Sequence, residues 1–290
     1  MSGRRSHAVS AITSALFIFV ALASGRQDWM TEAELDRFIR ETEAQLSFET
    51  GSVTVGDQLA TIDLPTGFRF LRSDDARYVL EDLWGNAPDP TVIGLIVPPG
   101  QRVPVGWMIA VAYEDVGYVK DGDVGSLDFD ELLREMQREE AKENETLRSQ
   151  GYAAGRTLGW AERPHYDATT HKLYWARRLS FDGEPEITVN YDVRILGRRG
   201  ILLLAAIGCE TELPLLRRGC QLVLERAEFT PGNRYEDYEP GVDKVAVYGI
   251  GGLIAGNVLL KTGLLKVLLK PLLVVGAVIV AIFARIFTRR

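Results

Sequence analysis

Hydrophobic positions along this chain recur with three different rhythms, and each predicts its own element. After residue 30 they fall three and four apart: Leu35, Phe38, Ile39, Thr42 and Leu46 line one helical face, and Thr31-Glu32-Ala33-Glu34 ahead of them has the form of a capping box. From Ser52 to Leu64 (SVTVGDQLATIDL) the rhythm changes to strict alternation with Gly56-Asp57 in the middle, which predicts a β-hairpin. Pro65-Thr66-Gly67 turns the chain into a short run at Phe68–Leu71, and Ser73 stands where it can cap a helix, SDDARYVLEDLW. The acids of that helix lie in its first turn, where the helix dipole favours them. Strand-like runs follow at Val92–Val97 and Val105–Tyr113.

Asp128 to Gln150 returns to helical spacing, stopped by Gly151, but its apolar stripe is thin: Phe129, Leu132, Leu133, Met136 and then little until Leu147. Such a helix covers a sheet with one edge and faces water with the rest. The strongest β region comes next, with runs at 156–165, 171–181, 186–196 and 200–208. The turns between them read DATT, DGEP and GRRG, so consecutive runs are expected to pair antiparallel as a meander. A helix at 212–225 and the short strand AEF close the domain, and PGNRYEDYEPGVDK (231–244) reads as a polar linker. The pattern predicts an α+β fold, a mainly antiparallel sheet with covering helices, plus a C-terminal transmembrane helical segment.

The third rhythm is none at all, and it belongs to the two ends. Arg4 and Arg5 precede an uncharged apolar run from Ala8 to Leu22, and Ala21-Leu22-Ala23 supplies the small residues that signal peptidase needs. Residues 1–23 therefore read as a signal peptide, the alternatives being an uncleaved anchor or a buried core helix. From Val245 to the end there is no acidic residue, and 264–287 is long enough to cross a hydrocarbon core of ~30 Å. Arg285, Arg289 and Arg290 then satisfy the positive-inside rule if the C-terminus is cytoplasmic. Tyr248–Leu260 is also apolar, and its Gly249, Gly252 and Gly256 have the spacing that lets membrane helices approach closely. Three arrangements of the anchor stay open: one span with the glycine-rich piece beside it, a two-span hairpin, or a buried helical hairpin. The resulting division is signal peptide 1–23, amphipathic helix 24–50, exported domain 51–230, linker 231–244 and membrane anchor 245–290.

Charge sharpens this picture. Set apart from its ends, the chain carries 25 basic against 40 acidic residues, a net charge of −15. Such a surface repels nucleic acid, so no nucleic-acid partner is expected, and the C-terminal anchor makes the membrane the expected partner. The expected topology is single-pass, with the N-terminal domain outside and the C-terminus cytoplasmic. Cys209 and Cys220 lie in the exported part, where a disulfide between them would add about 3 kcal/mol by loop entropy; two buried free thiols fit equally well.

Candidate chemistry is sparse, and no cofactor is expected. His165 and His171 flank the HYDATTH turn with Asp167 between them, so a metal site is conceivable there, though turn-flanking polar residues are the simpler reading. Asp121 and Asp123 open the acidic loop DGDVGSLDFD, which lacks the glycine and glutamate an EF-hand needs. Glu114 and Asp115 end a long apolar strand and could serve acid–base work. Nucleophile-elbow, zincin, P-loop and dinucleotide-binding signatures are missing from the sequence.

Several phrases carry a resemblance: IGLIVPP, AVAYEDVGYVKDGD, WAERPHYDATTHKLYWA, VNYDVRILGRRGIL and FTPGNRYEDYEPGVDKVAVYGIGGLIAG. Over roughly residues 45–290 the chain resembles the predicted membrane-anchored bacterial proteins of the domain of unknown function 2167. The resemblance implies a signal peptide, an envelope domain and a C-terminal anchor, hence an inner-membrane location with the N-terminal domain periplasmic and an envelope protein as a partner, and it brings no catalytic residues; Cys209 and Cys220 stand outside its phrases. Two readings follow. The favoured one is a non-enzymatic binding or structural module, helped by the juxtamembrane Tyr235 and Tyr238. The alternative is an enzyme of unfamiliar type using Glu114, Asp115, His165 and His171, which requires those four to converge with Tyr113 or Tyr166.

Overall fold

Alternation and turn chemistry build the frame. In the computed structural model, which describes residues 31–255 except Gly85, Ala87, 150–153 and 183–185, the capping box at Thr31 and Glu34 opens helix α1 (Glu32–Glu43) as expected. Strands β1 (Phe48–Glu49), β2 (Ser52–Val55), β3 (Ala60–Asp63) and β4 (Arg69–Arg72) follow, with β2 and β3 forming the hairpin read from the sequence. Helix α2 (Ser73–Arg77) widens into a π-helical turn over Tyr78–Leu83, which turns Val79, Leu80 and Leu83 inward. Its N-cap is Arg72, one residue ahead of Ser73, without a side-chain cap bond.

Strands β5 (Val92–Val97) and β6 (Ile109–Glu114) lead to helix α3 (Phe129–Ser149). Asp128 caps α3 by accepting the backbone N–H groups of Asp130 and Glu131. The expected meander is present as β7 (Gly155–Asp167), β8 (Lys172–Phe181), β9 (Thr188–Leu196) and β10 (Ile201–Cys209). Helix α4 (Leu213–Leu224), strand β11 (Ala227–Phe229) and helix α5 (Ile250–Ala255) complete the described chain.

All strand pairs are antiparallel, in an eight-stranded sheet of order β1-β4-β5-β6-β10-β9-β8-β7 and a three-stranded sheet of order β11-β3-β2. The large sheet is covered on both faces. On one face, the small sheet and α4 enclose a core of Ile62, Phe70, Val111, Tyr191, Leu204 and Leu216. On the other, α3, α5 and the residues between β11 and α5 pack on Leu173, Trp175, Leu203 and Ile201, while α2 and its π-helical turn pack on Leu71 and Leu95.

Strand β9 is buried along its whole length. Val189, Tyr191, Val193 and Ile195 face the α4 layer, as a half-buried strand would. The alternate face is polar and equally buried: Thr188, Asn190, Asp192 and Arg194. Asp192 accepts from Asn190 (3.0 Å) and Arg194 (3.1 Å), and lies 3.4 Å from the Arg177 guanidinium of β8. Arg194 also stacks over Trp175 at 5.0 Å. Charges this deep must be paired to persist.

The same network explains how the polar α3 is held. Arg177 reaches Glu140 of α3 at 3.7 Å, and Glu140 accepts both the backbone N–H and the hydroxyl of Thr157. Gln137 and Asn144 donate to the carbonyls of Thr157 and Gly155. Strand β7 is the edge of the large sheet, so α3 satisfies backbone groups that a ninth strand would otherwise seek.

Residues 231–244, expected as a linker, run across the domain and are fixed to it. Tyr235 is buried, Arg198 pairs with Asp243 (2.7 Å) and Glu239 (3.0 Å), and Val245 forms a parallel bridge with Tyr118. Among the described residues no helix is long and apolar enough to cross a membrane. The expected signal peptide at 1–23 and span at 264–287 lie outside the described residues.

Candidate functional site

Polar and aromatic side chains gather where three passages of chain meet: the β7–β8 turn, the loop after β6, and residues 231–248. The turn is closed by Asp167, which accepts from the Thr169 N–H and the Thr170 hydroxyl, each at 2.8 Å. Those bonds, the Thr169 N–H first, hold its carboxyl below the usual aspartate range. His171 ends the turn at φ 52°, a left-handed conformation that places its ring 3.9 Å from the ring of Tyr235.

From there the rings continue as a pile. Tyr235 stacks on Tyr118 at 4.4 Å, and Tyr118 stacks on Tyr238 at 3.9 Å. The Tyr235 hydroxyl donates to the Val119 carbonyl at 2.9 Å, and burial raises its pKa. Beside the pile, the Tyr166 hydroxyl donates to Asp121 at 2.7 Å and lies 3.0 Å from His171 Nδ1. With its one proton given to Asp121, Tyr166 receives one from the imidazole, so the three form a donor chain from His171 through Tyr166 to Asp121. Burial first, and the Asp121 carboxylate second, push the Tyr166 phenol upward, so it stays protonated.

The loop after β6 also holds the start of α5. Gly117 sits at φ +92°, and a Cβ there would come 2.7 Å from the Lys244 carbonyl. Close approach lets Tyr118 donate to Lys244 and accept from Ala246. Asp123 then accepts the N–H groups of Ile250 and Gly251, each at 3.0 Å, capping α5 from a distant loop. A Cβ on Gly249 would lie 2.6 Å from that carboxylate. Ile250, Leu253 and Ile254 are buried against the domain. Two of the glycines expected to serve helix packing in a membrane thus have contacts inside the domain: Gly249 against Asp123 and Gly252 against Tyr248.

The residues singled out from the sequence are divided among different places. His171, Tyr166, Asp121, Tyr235 and Tyr238 come together. His165 alternates to the opposite face of β7, where its ring lies 5.1 Å from Tyr174. Glu114 is buried near Tyr248 on the α5 side, and Asp115 is near Tyr113, which packs against the opposite core. The four residues of the enzymatic reading therefore do not form one constellation with Tyr113 or Tyr166. Asp123 has become a helix cap, and among the described residues no three His, Cys, Asp or Glu side chains gather as a metal-binding set. Both cysteines are free thiols: Cys220 is buried in the α4 core, and the Cys209 Sγ donates to Glu186 at 3.3 Å. Burial and then Glu186 push the Cys209 thiol up to about 12, so it is a poor nucleophile. Sequence reasoning missed Tyr118 and the capping role of Asp123, whose partner Ile250 is 127 residues away, so no local signal marks it.

Residues 47–284 match the family model described as "Protein of unknown function (DUF2167)". The chain belongs to this family. The match contains the whole pile, the Asp121–Tyr166–His171 chain and the Asp123 cap, so all of these sit within the family's own stretch. No curated protein matches the sequence. Among solved structures, the chain is similar to cyanobacterial PsbP (CyanoP) from Synechocystis sp. PCC 6803, with 8% identity, TM-score 0.37, and coverage of 64% of this chain and 92% of that one. It is also similar to LpqN, involved in cell envelope biogenesis of Mycobacterium tuberculosis (17%, TM-score 0.32, 70% and 98%). A third likeness is to the Saccharomyces cerevisiae Ran-binding protein Mog1p (10%, TM-score 0.34, 63% and 96%). Scores this low say nothing of what the present chain does.

Proposed function

We propose that this protein is a membrane-anchored envelope component whose exported α+β domain is a binding or structural module rather than an enzyme. One observation carries the reading. His171, Tyr166, Asp121, Tyr235 and Tyr118 bond or stack on one another and fix the passage that leads into the hydrophobic C-terminal segment. These contacts hold a chain in place, while Glu114, Asp115 and His165, the other residues an enzymatic reading needs, lie away from His171.

Support for the anchor comes from the sequence: the uncharged run at 271–284, the basic tail, and the signal-like N-terminus. The reading is tested by expressing the full chain and a variant ending at Ala255, then washing membranes at alkaline pH. The full chain should stay in the membrane pellet and the shortened chain should appear in the soluble exported fraction. A full chain that washes off, or a shortened chain that stays, contradicts it.

A further inference from the structure

The way the chain leaves the domain sets where the domain sits. We infer that the edge carrying Val242 and Val247 rests directly on the lipid surface; the inference depends on the membrane-anchored reading above.

Three observations converge on that edge. The first is exposure. Val247 is 89% exposed and Val242 72% exposed, on the passage of chain that immediately precedes α5. They are the two most exposed of the large apolar residues left open among the described residues. Tyr238 and Tyr118, aromatic rings with polar tips of the kind that suit a membrane interface, are stacked and half-buried on and beside the same passage.

The second is reach. Helix α5 is docked on the domain and capped by Asp123, so the membrane segment does not hang from a free tether. Only 256–263 separate Ala255 from the start of the expected span at Leu264. Nine steps of chain cover about 30 Å fully extended and about 14 Å as a helix. The domain is therefore held within a fraction of its own size of the bilayer.

The third is charge. A domain of net −15 should be pushed away from anionic headgroups. This edge is the exception: Arg198, Arg199, Arg234 and Lys244 balance Glu236, Asp237, Glu239 and Asp243, and Arg198 is paired directly with Glu239 and Asp243. A passage with no net charge and two exposed valines fits the boundary between headgroups and acyl chains.

The test uses the full chain in vesicles of phosphatidylethanolamine and phosphatidylglycerol. Cys209 is replaced by alanine, and an environment-sensitive dye is attached through Val247→Cys, Val242→Cys or Leu215→Cys in separate variants. Leu215 is 57% exposed on α4, which covers the opposite face of the large sheet, and serves as the distant reference. Lipids with a nitroxide near the headgroup should quench the dye at 247 and 242 several-fold more than at 215. Equal quenching at all three positions, in protein that resists alkaline extraction, overturns the seating and leaves the anchor standing. Protein that washes off overturns both. Dye-to-dye energy transfer at 247 without lipid quenching would show a second copy covering the edge, and overturns the seating as well.

Discussion

Replacing Asp192 by alanine should destabilise the domain more than almost any other single polar change. Its carboxylate is fully buried and serves Asn190, Arg194 and Arg177 at once. The two guanidiniums are themselves only 2% and 3% exposed. Removing the carboxylate leaves Arg194 with the Val193 carbonyl and the face of Trp175, and Arg177 with Glu140 at 3.7 Å. Breaking a buried pair by deleting one partner costs roughly 3–5 kcal/mol, a large part of the roughly 5–15 kcal/mol that holds a domain folded. Urea unfolding of the full chain in detergent, followed by tryptophan fluorescence, would show the midpoint fall with the slope unchanged. Asp192→Leu combined with Arg194→Met should recover part of the loss, because it removes one of the two stranded charges and leaves Arg177 with Glu140. A loss below about 1 kcal/mol for the alanine variant would mean that water reaches the two arginines, and the network described here would be wrong.

Further outcomes follow from the same contacts. Asp123→Ala removes the acceptors of two α5 N–H groups and should cost about 0.5–2 kcal/mol, read as faster hydrogen exchange at 250–254 with β9 unchanged. Gly249→Ala should act on the same contact from the other side, so the two changes together should cost less than their sum. Glu140→Ala leaves the Thr157 N–H without its partner on an edge strand; expected are a loss of about 1–3 kcal/mol and concentration-dependent association measured by sedimentation. The Arg198 guanidinium, and then the Glu239 N–H, hold the Asp243 carboxyl below its usual range. A depressed native pKa stabilises fully above the unfolded value of about 3.9 and fades as pH falls through the native one, so residues 239–243 should loosen on acidification below about pH 4. Arg198→Met should largely remove that dependence, monitored by chemical shifts of those residues.

Local signals in the sequence carried as far as local physics does. The hairpin at 52–64 and the four long strands were legible because alternation and turn residues act between neighbours, and the capping box at Thr31 is complete within four residues. Partners far apart in the chain were not legible: β10 with β6, β11 with β3, and Asp123 with Ile250, 127 residues away. The polar face of β9 gave no warning either, since Asn190, Asp192 and Arg194 look like the solvent side of an ordinary strand until α3 is placed over them. The two histidines teach a sharper lesson. Proximity across the HYDATTH turn suggested a pair, but the two-residue period of a strand sends His165 to one face and Tyr166 to the other. Tyr166 is therefore the true neighbour of His171. Residues 231–244 looked like a linker because they are polar and rich in proline and glycine; their tyrosines and Asp243 find partners only in the folded domain.

The central claim is that the path from the last strand to helix α5 is part of the folded domain. Hydrogen exchange on the full chain in lipid nanodiscs tests it most directly. The amides of Tyr118, Ala246, Ile250, Gly251 and Leu253 should be protected nearly as well as those in the middle of β9. Exchange at the rate of an unstructured peptide across 245–255 would contradict the account.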